Sequence, residues 1–259
     1  MKIPPIKFPK WLWLMLGVLP LLLVIAYADS KQGYKTCKGI EIEIDGGNPE
    51  NYFVTETDVK NLLLDNGHDD VVGVRFDKID LKKLENRVLS NNLVKNCQVA
   101  RGLGGDLWVS VTQYKPIARL LSESGNNSLA DFYVAADGAI ISLSDHYTSR
   151  VMLVSGEYFK NLKRMNRNKD KDLLSLLNYI DKDDFWKAQI AQVEVSQDGE
   201  IDFYPQMGVK KIAFGQALPD EFEIKFKKLK IFYTKILPTK GIDFYSSVSV
   251  KFQNQIVCE

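Results

Sequence analysis

The side chains that could do chemistry are few, and their spacing forms no catalytic motif. The two histidines, His68 and His146, lie far apart in predicted loops, where a histidine is usually a solvated side chain. The sequence contains no G-x-S-x-G, no H-E-x-x-H and no Cys/His nucleophile arrangement. We therefore predict a non-enzymatic protein with no catalytic residue, no cofactor and no bound metal.

Two other clusters are better explained by local structure than by ligand binding. The glycine-rich stretch 102–105 lies between two predicted strands, which favours a hairpin turn over a phosphate-binding loop. Asp181, Asp183 and Asp184 do not have the spacing of an EF-hand loop, and acidic residues just before Phe185 are typical of helix caps.

The three cysteines, Cys37, Cys97 and Cys258, are widely separated. An odd number allows at most one intramolecular disulfide and leaves one thiol over. The spacing matches no zinc or redox motif, so we predict mostly buried, small apolar side chains.

Composition points to a globular protein that binds neither DNA nor RNA. The chain has 259 residues, enough for one large domain or two of ordinary size. Its formal net charge is +1, which gives no electrostatic reason to bind nucleic acid. Hydrophobic residues make up 45% and aromatic residues 11% of the chain, as expected for a protein with a proper core.

An uncharged, mostly apolar run covers residues 11–28. At 1.5 Å per residue it spans roughly 27 Å, close to the hydrocarbon thickness of a bilayer. The positive-inside rule then places the N-terminus in the cytoplasm and the rest of the chain across the membrane. The flanking residues that support this are Trp11, Trp13 and Tyr27 at the interfaces, Lys2, Lys7 and Lys10 before the run, and Asp29 after it.

A cleaved signal peptide is the alternative, because Ala26-Tyr27-Ala28 has the A-x-A pattern of a cleavage site. The run is slightly long for a signal peptide, and a membrane helix tolerates Pro20. Both interpretations export the body of the protein. The transmembrane interpretation divides the N-terminal part into a tail (1–10), a transmembrane helix (11–28) and a linker (29–36).

Residues 37–115 have the pattern β-α-α-β-β, which predicts a small sheet covered on one face by two helices. Strict alternation from Ile40 to Ile44 predicts a strand, and Thr55-x-x-Asp58 predicts a capped helix that ends at Gly67. A second helix starts near Asp80, two strands follow, and Pro116 closes the last one. The predicted core residues are Ile40, Ile42, Val59, Leu62, Leu63, Leu84, Val88, Val99, Leu107, Val109 and Val111.

Residues 116–259 predict a larger mixed β-domain with helices, so the fold class of the whole chain is α+β. Turn signals at Asp137-Gly138 and Asp198-Gly199 predict two hairpins. Helices are predicted around residues 173–180 and from Phe222 to Ile236, the second ended by Pro238 and Gly241. The last strand, residues 245–253, is predicted to point Val248, Val250 and Phe252 inward, with Ser247, Ser249, Lys251 and Gln253 outward.

Several segments, taken in order, resemble the bacterial FtsQ/DivIB cell-division family in its Bacteroidetes-like form. Residues 84–99 are similar to the second helix and following strand of its POTRA module. Residues 108–118 are similar to its I-x-V-x-E-R-x-P-V-A segment, with Gln113 and Tyr114 in place of the acidic–basic pair. Residues 132–138 resemble its y-y-l-D-x-x-G hairpin, 151–156 the loop before the β-domain core, and 245–257 its closing segment.

The resemblance implies a divisome scaffold of the inner membrane, concentrated at the septum. It would recruit an FtsB-like and FtsL-like pair, and other septal wall synthesis proteins, through protein–protein contacts. Phe252 aligns with an aromatic that the family uses to hold FtsB. The residues predicted to bind the partner, along an exposed C-terminal strand edge, are Tyr245, Ser247, Ser249, Lys251, Phe252 and Gln253.

Two alternatives remain at this point. Residues 245–253 can be an ordinary terminal strand with no partner. The whole protein can also be an exported, membrane-anchored ligand-binding or adhesin-like protein of the cell envelope. Localisation separates the second alternative from the scaffold, since only a scaffold concentrates at mid-cell.

Overall fold

The computed structural model of the protein describes residues 18–20, 23, 35–45, 52–121, 131–159 and 170–259. The predicted tail and most of the predicted membrane segment and linker lie outside these residues. Within the described part of the chain, no helix combines the length and apolarity needed to cross a bilayer. The described residues form two compact units, one of residues 35–45 and 55–112 and the other of residues 52–54 and 113 onward.

The first unit contains three strands and two α-helices, in the predicted order β-α-α-β-β. Strand β1 lies at one edge and runs parallel to the central strand β3, and β2 forms the other edge. Two short 3-10 turns, Asp65–Gly67 and Phe76–Lys78, join the helices. The elements are β1 (Ile40–Asp45), α1 (Glu56–Leu63), α2 (Leu81–Leu89), β2 (Val94–Arg101) and β3 (Leu107–Gln113).

Both helices of the first unit begin at the predicted caps. Thr55 and Asp58 form a reciprocal capping box, in which each side chain accepts the backbone N–H of the other. The Asp80 carboxylate accepts the Lys83 N–H at 3.0 Å at the start of α2. These contacts satisfy N–H groups that have no partner within the helix, so the helix starts could be predicted from the sequence. The first helix ends at Leu63, before the predicted stop at Gly67.

The core of the first unit is largely the predicted one. Val59 and Leu63 of α1 and Leu84 and Val88 of α2 are buried, as are Val99, Leu107, Val109 and Val111 of the strands. Ile40, Ile42 and Leu62 are only half-buried, so that part of the prediction was wrong. For the two isoleucines the reason is that β1 is an edge strand, with a neighbouring strand on one side only.

All three cysteines are free thiols, and Cys37 and Cys97 are buried. Burial raises the pKa of Cys97 to about 11 and also raises the pKa of Cys37. These two side chains pack as small apolar groups, as predicted.

The second unit is built on a nine-stranded sheet in the order β12-β11-β10-β9-β8-β7-β4-β5-β6. Its strands are β4 (Pro116–Leu120), β5 (Phe132–Ala135), β6 (Ile140–Ser142), β7 (Met152–Ser155), β8 (Ile190–Val195), β9 (Ile201–Pro205), β10 (Lys211–Gly215), β11 (Ser247–Ser249) and β12 (Val257–Cys258). Its α-helices are α3 (Lys171–Lys182), α4 (Asp184–Gln189), α5 (Phe222–Ile231) and α6 (Leu237–Lys240).

One row of apolar side chains crosses the middle of this sheet. The strand register aligns Val154, Val193, Phe203, Ile212 and Val248 on neighbouring strands. All five are buried in one cluster with the apolar residues of α3, α4 and α5. Because side chains alternate along a strand, the next row points to the opposite face. That face is polar, with a Tyr204–Glu194 hydrogen bond of 2.5 Å and a Lys211–Asp202 ion pair of 2.7 Å.

Both predicted hairpins are present, β5–β6 around Gly138 and β8–β9 around Gly199. Two other predictions for this unit were wrong. Residues 151–156 were predicted as a loop, but Met152–Ser155 forms β7, which is parallel to β4 and β8 in the middle of the sheet. A strand of four residues between parallel neighbours is too short to show a reliable period.

The second wrong prediction concerns the end of the long helix. It continues through a π-helical segment, Phe232–Ile236, into α6, so Pro238 lies inside the helical run rather than ending it. The π-turn makes Phe232 a buried residue where a regular period predicts Tyr233. Gly241, at φ 102°, ends the helix as predicted.

Phe53 belongs to the second unit although it lies three residues before α1. Its N–H donates to the Gln113 side-chain oxygen at 2.8 Å, and its carbonyl accepts the Ser144 hydroxyl at 2.6 Å. Its ring contacts Tyr133 and Tyr147 edge-on, with centroids 5.8 and 5.2 Å apart. The amide at Gln113 therefore has a structural role in binding the backbone of Phe53.

Candidate functional site

The structure places the six predicted partner-binding residues in three settings, not along one strand. Ser247 and Ser249 lie in β11, which is only three residues long. Tyr245 precedes that strand. The remaining residues, Lys251, Phe252 and Gln253, lie in the exposed turn between β11 and β12.

Strand β11 is not the edge of the sheet, so the prediction of an edge at residues 245–253 needs correction. It pairs with β10 on one side and with β12 on the other. Val250 donates its N–H to the Ala213 carbonyl at 3.1 Å, while Ser247 and Glu259 exchange two hydrogen bonds of 3.0 Å. Backbone groups alternate in direction along a strand, so the Ser249 N–H faces β12 and is not available to a partner chain.

The edge strand on this side of the sheet is β12, and it presents backbone groups on its outer side. In the antiparallel register Cys258 lies opposite Val248, between the hydrogen-bonded pairs Ser249–Val257 and Ser247–Glu259. The N–H and C=O of a residue in such a position point away from the neighbouring strand. Within the described residues no further strand pairs beyond β12. The Cys258 backbone can therefore pair with an added strand.

The last residue holds β12 in place. The Glu259 carbonyl accepts the Ser246 N–H at 2.6 Å and the Ser247 N–H at 3.0 Å, and the Ser246 hydroxyl also donates to it at 3.0 Å. The Ser247 hydroxyl donates to the Glu259 side chain at 3.3 Å. These contacts fix the edge against β11 without occupying its outer side.

The side chain of Phe252 is exposed, which corrects the prediction that it points into the core. It is 53% exposed, while Val248 and Val250 are fully buried as predicted. The alternation stops at Val250 because the chain leaves the sheet there and turns, with Asn254 at φ 60°. An exposed phenylalanine in the turn that leads to an open edge strand is a feature of protein-binding surfaces.

Two lysines hold the turn that carries Phe252. The Lys228 ammonium, on α5, donates to the Val250 and Phe252 carbonyls at 2.6 and 2.7 Å. Burial of this ammonium, together with the nearby charge of Lys225, lowers the pKa of Lys228. Lys251 forms an ion pair with Glu200.

An aromatic pair lies just before β11. The half-buried Tyr245 ring packs against Phe232, with centroids 6.1 Å apart, and against Phe244 at 4.8 Å. Phe244 itself is 61% exposed. Exposed phenylalanines therefore occur before β11, at Phe244, and after it, at Phe252.

Sequence reasoning missed Val257, Cys258 and Lys228. A two-residue strand has no period to detect, although the turn-forming Asn254 between two apolar segments was a signal for one. Lys228 looked like one of many surface lysines on a helix. Only the fold shows that it reaches the carbonyls of the turn.

The other clusters have structural roles or are solvent-exposed. His68 and His146 are both exposed, and Asp183 caps α4 by accepting the Phe185 and Trp186 N–H groups. Gly102 and Gly105 lie in the β2–β3 turn, where Gly105 donates its N–H to the Gly102 carbonyl. No group of three or more metal-binding side chains occurs in the part of the chain that the structure describes.

A comparison with protein families identifies both units. The profile "FtsQ/DivIB, C-terminal related" matches residues 115–259, which is more than half of the chain. The chain belongs to the FtsQ/DivIB family. A "POTRA-like domain" profile matches residues 35–112, which include the described strands and helices of the first unit except the end of β3. A search of curated proteins gives no match to the chain.

The family match covers the whole nine-stranded sheet, including the open edge at β12 and the turn with Phe252. FtsQ/DivIB and POTRA-like domains are non-enzymatic scaffold types, and the FtsQ/DivIB match suggests a cell-division scaffold. The candidate site consists of backbone groups and an exposed aromatic side chain, which are features of a protein-binding surface.

Proposed function

We propose that this protein is a membrane-anchored division scaffold that binds a partner chain by strand addition at β12. The observation that carries the proposal is the outward-facing Cys258 backbone at the edge of an FtsQ/DivIB-type sheet. Strand addition supplies affinity through main-chain hydrogen bonds, and side chains beside the edge supply specificity. The role is non-enzymatic and needs no cofactor.

The partners in this proposal are FtsB-like and FtsL-like division proteins, as the family resemblance implies. The site offers a partner an exposed aromatic at Phe252, and Lys251 helps to hold the turn through its ion pair with Glu200. Ser247 and Ser249 contribute by holding β12 in register, since Ser249 pairs with Val257 and Ser247 with Glu259. Tyr245 precedes β11, and Gln253 lies in the turn between β11 and β12.

The proposal also includes the N-terminal anchor. Residues 11–28 would cross the inner membrane, with residues 1–10 in the cytoplasm and the two folded units in the periplasm. Protease treatment of spheroplasts should then remove the folded units and leave a short membrane fragment. A mature soluble protein that starts at Asp29 would instead indicate a cleaved signal peptide.

The experiment that tests the function combines imaging with co-purification. A fluorescent fusion should concentrate at mid-cell in dividing cells, and the full chain should co-purify with the FtsB-like protein of the same organism. An even distribution around the envelope, without co-purification, would contradict the scaffold proposal and favour a general ligand-binding envelope protein.

A further inference from the structure

The turn between β11 and β12 is tied to helix α5 by one side chain. The Lys228 ammonium donates to two carbonyls of the turn, at Val250 and Phe252. A lysine has three N–H donors, so one ammonium can bind both acceptors at once. The contact joins segments that are 22 and 24 residues apart in sequence, and it holds the backbone on both sides of Lys251.

A second contact holds the same turn from the strand side. Lys251 forms an ion pair with Glu200, which lies just before β9. The stem of Lys251 passes over Gly215, where an added Cβ would lie 3.2 Å from the Lys251 Cγ. Gly215 has φ +85° and so accepts no larger residue without strain. The turn is thus fixed against both the helix and the β9–β10 hairpin.

The backbone of the β11–β12 turn is held by hydrogen bonds, whereas the Phe252 ring that it carries is exposed. Phe252 is 53% exposed although its own carbonyl is hydrogen-bonded to Lys228. An exposed aromatic side chain on an ordered backbone loses little conformational entropy when a partner buries it. Such rigid aromatic residues are typical anchors of binding interfaces.

We propose that Lys228 is a positioning residue for partner binding. It holds the turn so that Phe252 projects beside β12 and enters an apolar pocket formed by the partner segment that adds to this edge. This inference rests on the proposed function, because it concerns the same partner. The residues needed for partner binding then include Lys228 of helix α5, which contacts the turn and not the partner itself.

The test compares four single variants and one double variant of the full chain for binding to the FtsB-like partner. Lys228→Met removes both hydrogen bonds and keeps a side chain of similar length, while Lys228→Arg keeps the donors. Lys227→Met, at an exposed neighbour on the same helix, controls for the loss of a charge. Phe252→Ala removes the aromatic side chain itself.

We expect Lys228→Met to weaken binding about tenfold, which corresponds to about 1.4 kcal/mol. Lys228→Arg should restore most of the affinity, and Lys227→Met should bind like the unmodified chain. Hydrogen exchange at the amides of residues 251–255 should become faster in Lys228→Met only. In the background of Phe252→Ala, Lys228→Met should have little further effect, because its role is to position that ring.

Two results would overturn the inference. One is unchanged affinity in Lys228→Met when exchange shows that the turn has been released. The other is equal loss in Lys227→Met, which would indicate a general charge effect. Failure of the unmodified chain to bind the partner would instead contradict the proposed function, so the two failures are distinguishable.

Discussion

At the scale of single residues, burial determines the pKa and therefore the reactivity of the cysteine thiols. Cys97 is 4% exposed and its pKa is raised to about 11 by burial, with the Glu85 carboxylate adding to the effect. Only the thiolate is nucleophilic, so a thiol with this pKa is about one part in a thousand reactive at pH 8. Burial also raises the pKa of Cys258, which is less buried than Cys97.

We therefore predict that iodoacetamide at pH 8 modifies Cys97 and Cys37 slowly in the folded protein and quickly in urea. Cys258 should be modified first, because it is the most accessible of the three. Mass spectrometry of a time course measures the three rates separately. Modification of Cys97 at the same rate with and without urea would show that this thiol is not buried.

Leu84 provides a test of the first unit's core. It is 4% exposed on α2, so Leu84→Ala should lower the free energy of unfolding by about 2–5 kcal/mol. Leu89, on the same helix and 36% exposed, is the matched control, and Leu89→Ala should cost under about 1 kcal/mol. Chemical denaturation measures both. Similar costs for the two variants would mean that the helix buries a different face.

At the scale of elements, the absence of a side chain at Gly156 allows the end of β7 to lie close to β8. An added Cβ would lie 2.1 Å from the Val195 carbonyl oxygen, and Gly156 has φ +122°. Gly199, in the β8–β9 turn, also has a positive φ of +85° but no atom within 4 Å of an added Cβ. Alanine substitutions at Gly156 and Gly199 therefore distinguish the cost of steric overlap from the cost of backbone strain.

Gly156→Ala should therefore cost about 3 kcal/mol or more, because strain and overlap add. Gly199→Ala should cost only about 1 kcal/mol, from backbone strain alone. Thermal unfolding of the two variants gives the comparison. Equal stability of the two would mean that β7 and β8 can separate at this point without cost.

The sequence predicted elements well where a local rule decides them. The capping box at Thr55, the cap at Asp80 and the two Asp-Gly hairpin turns each depend on residues close in sequence. It failed where tertiary pairing decides the structure, as in β7, a short strand between parallel neighbours that are distant in sequence. The π-turn at Phe232–Ile236 shifts the buried face in a way that a regular helical period does not describe.

The candidate site was also predicted only in the part that depends on local sequence. The predicted partner-binding segment, residues 245–253, ends before the open edge strand, and it includes Phe252. The direction of Phe252 was wrong because alternation was extended past Val250, where the chain leaves the sheet. The edge itself lies at Val257 and Cys258, because the chain folds back after the turn and covers β11.

At the scale of the whole molecule, the two units have separate cores, and we predict that they unfold in separate transitions. Leu84→Ala should then lower the midpoint of one transition, and Gly156→Ala that of the other. Calorimetry of the full chain in detergent measures both midpoints. A single transition that shifts with either substitution would show that the units unfold together.

The central claim is that a partner strand pairs with the outer side of β12, and one substitution tests it most directly. Cys258→Pro removes the outward N–H without breaking a hydrogen bond to β11, and Cys258→Ala removes the thiol but keeps that N–H. Ser249→Pro is unsuitable, because the Ser249 N–H holds β12 in the sheet.

The measurement is the dissociation constant of the FtsB-like partner for the full chain, with the melting temperature of each variant as a check on folding. We predict that Cys258→Pro weakens binding at least about tenfold, the equivalent of about one lost main-chain hydrogen bond, while Cys258→Ala binds nearly normally. Unchanged affinity in a folded Cys258→Pro variant would contradict strand addition at β12.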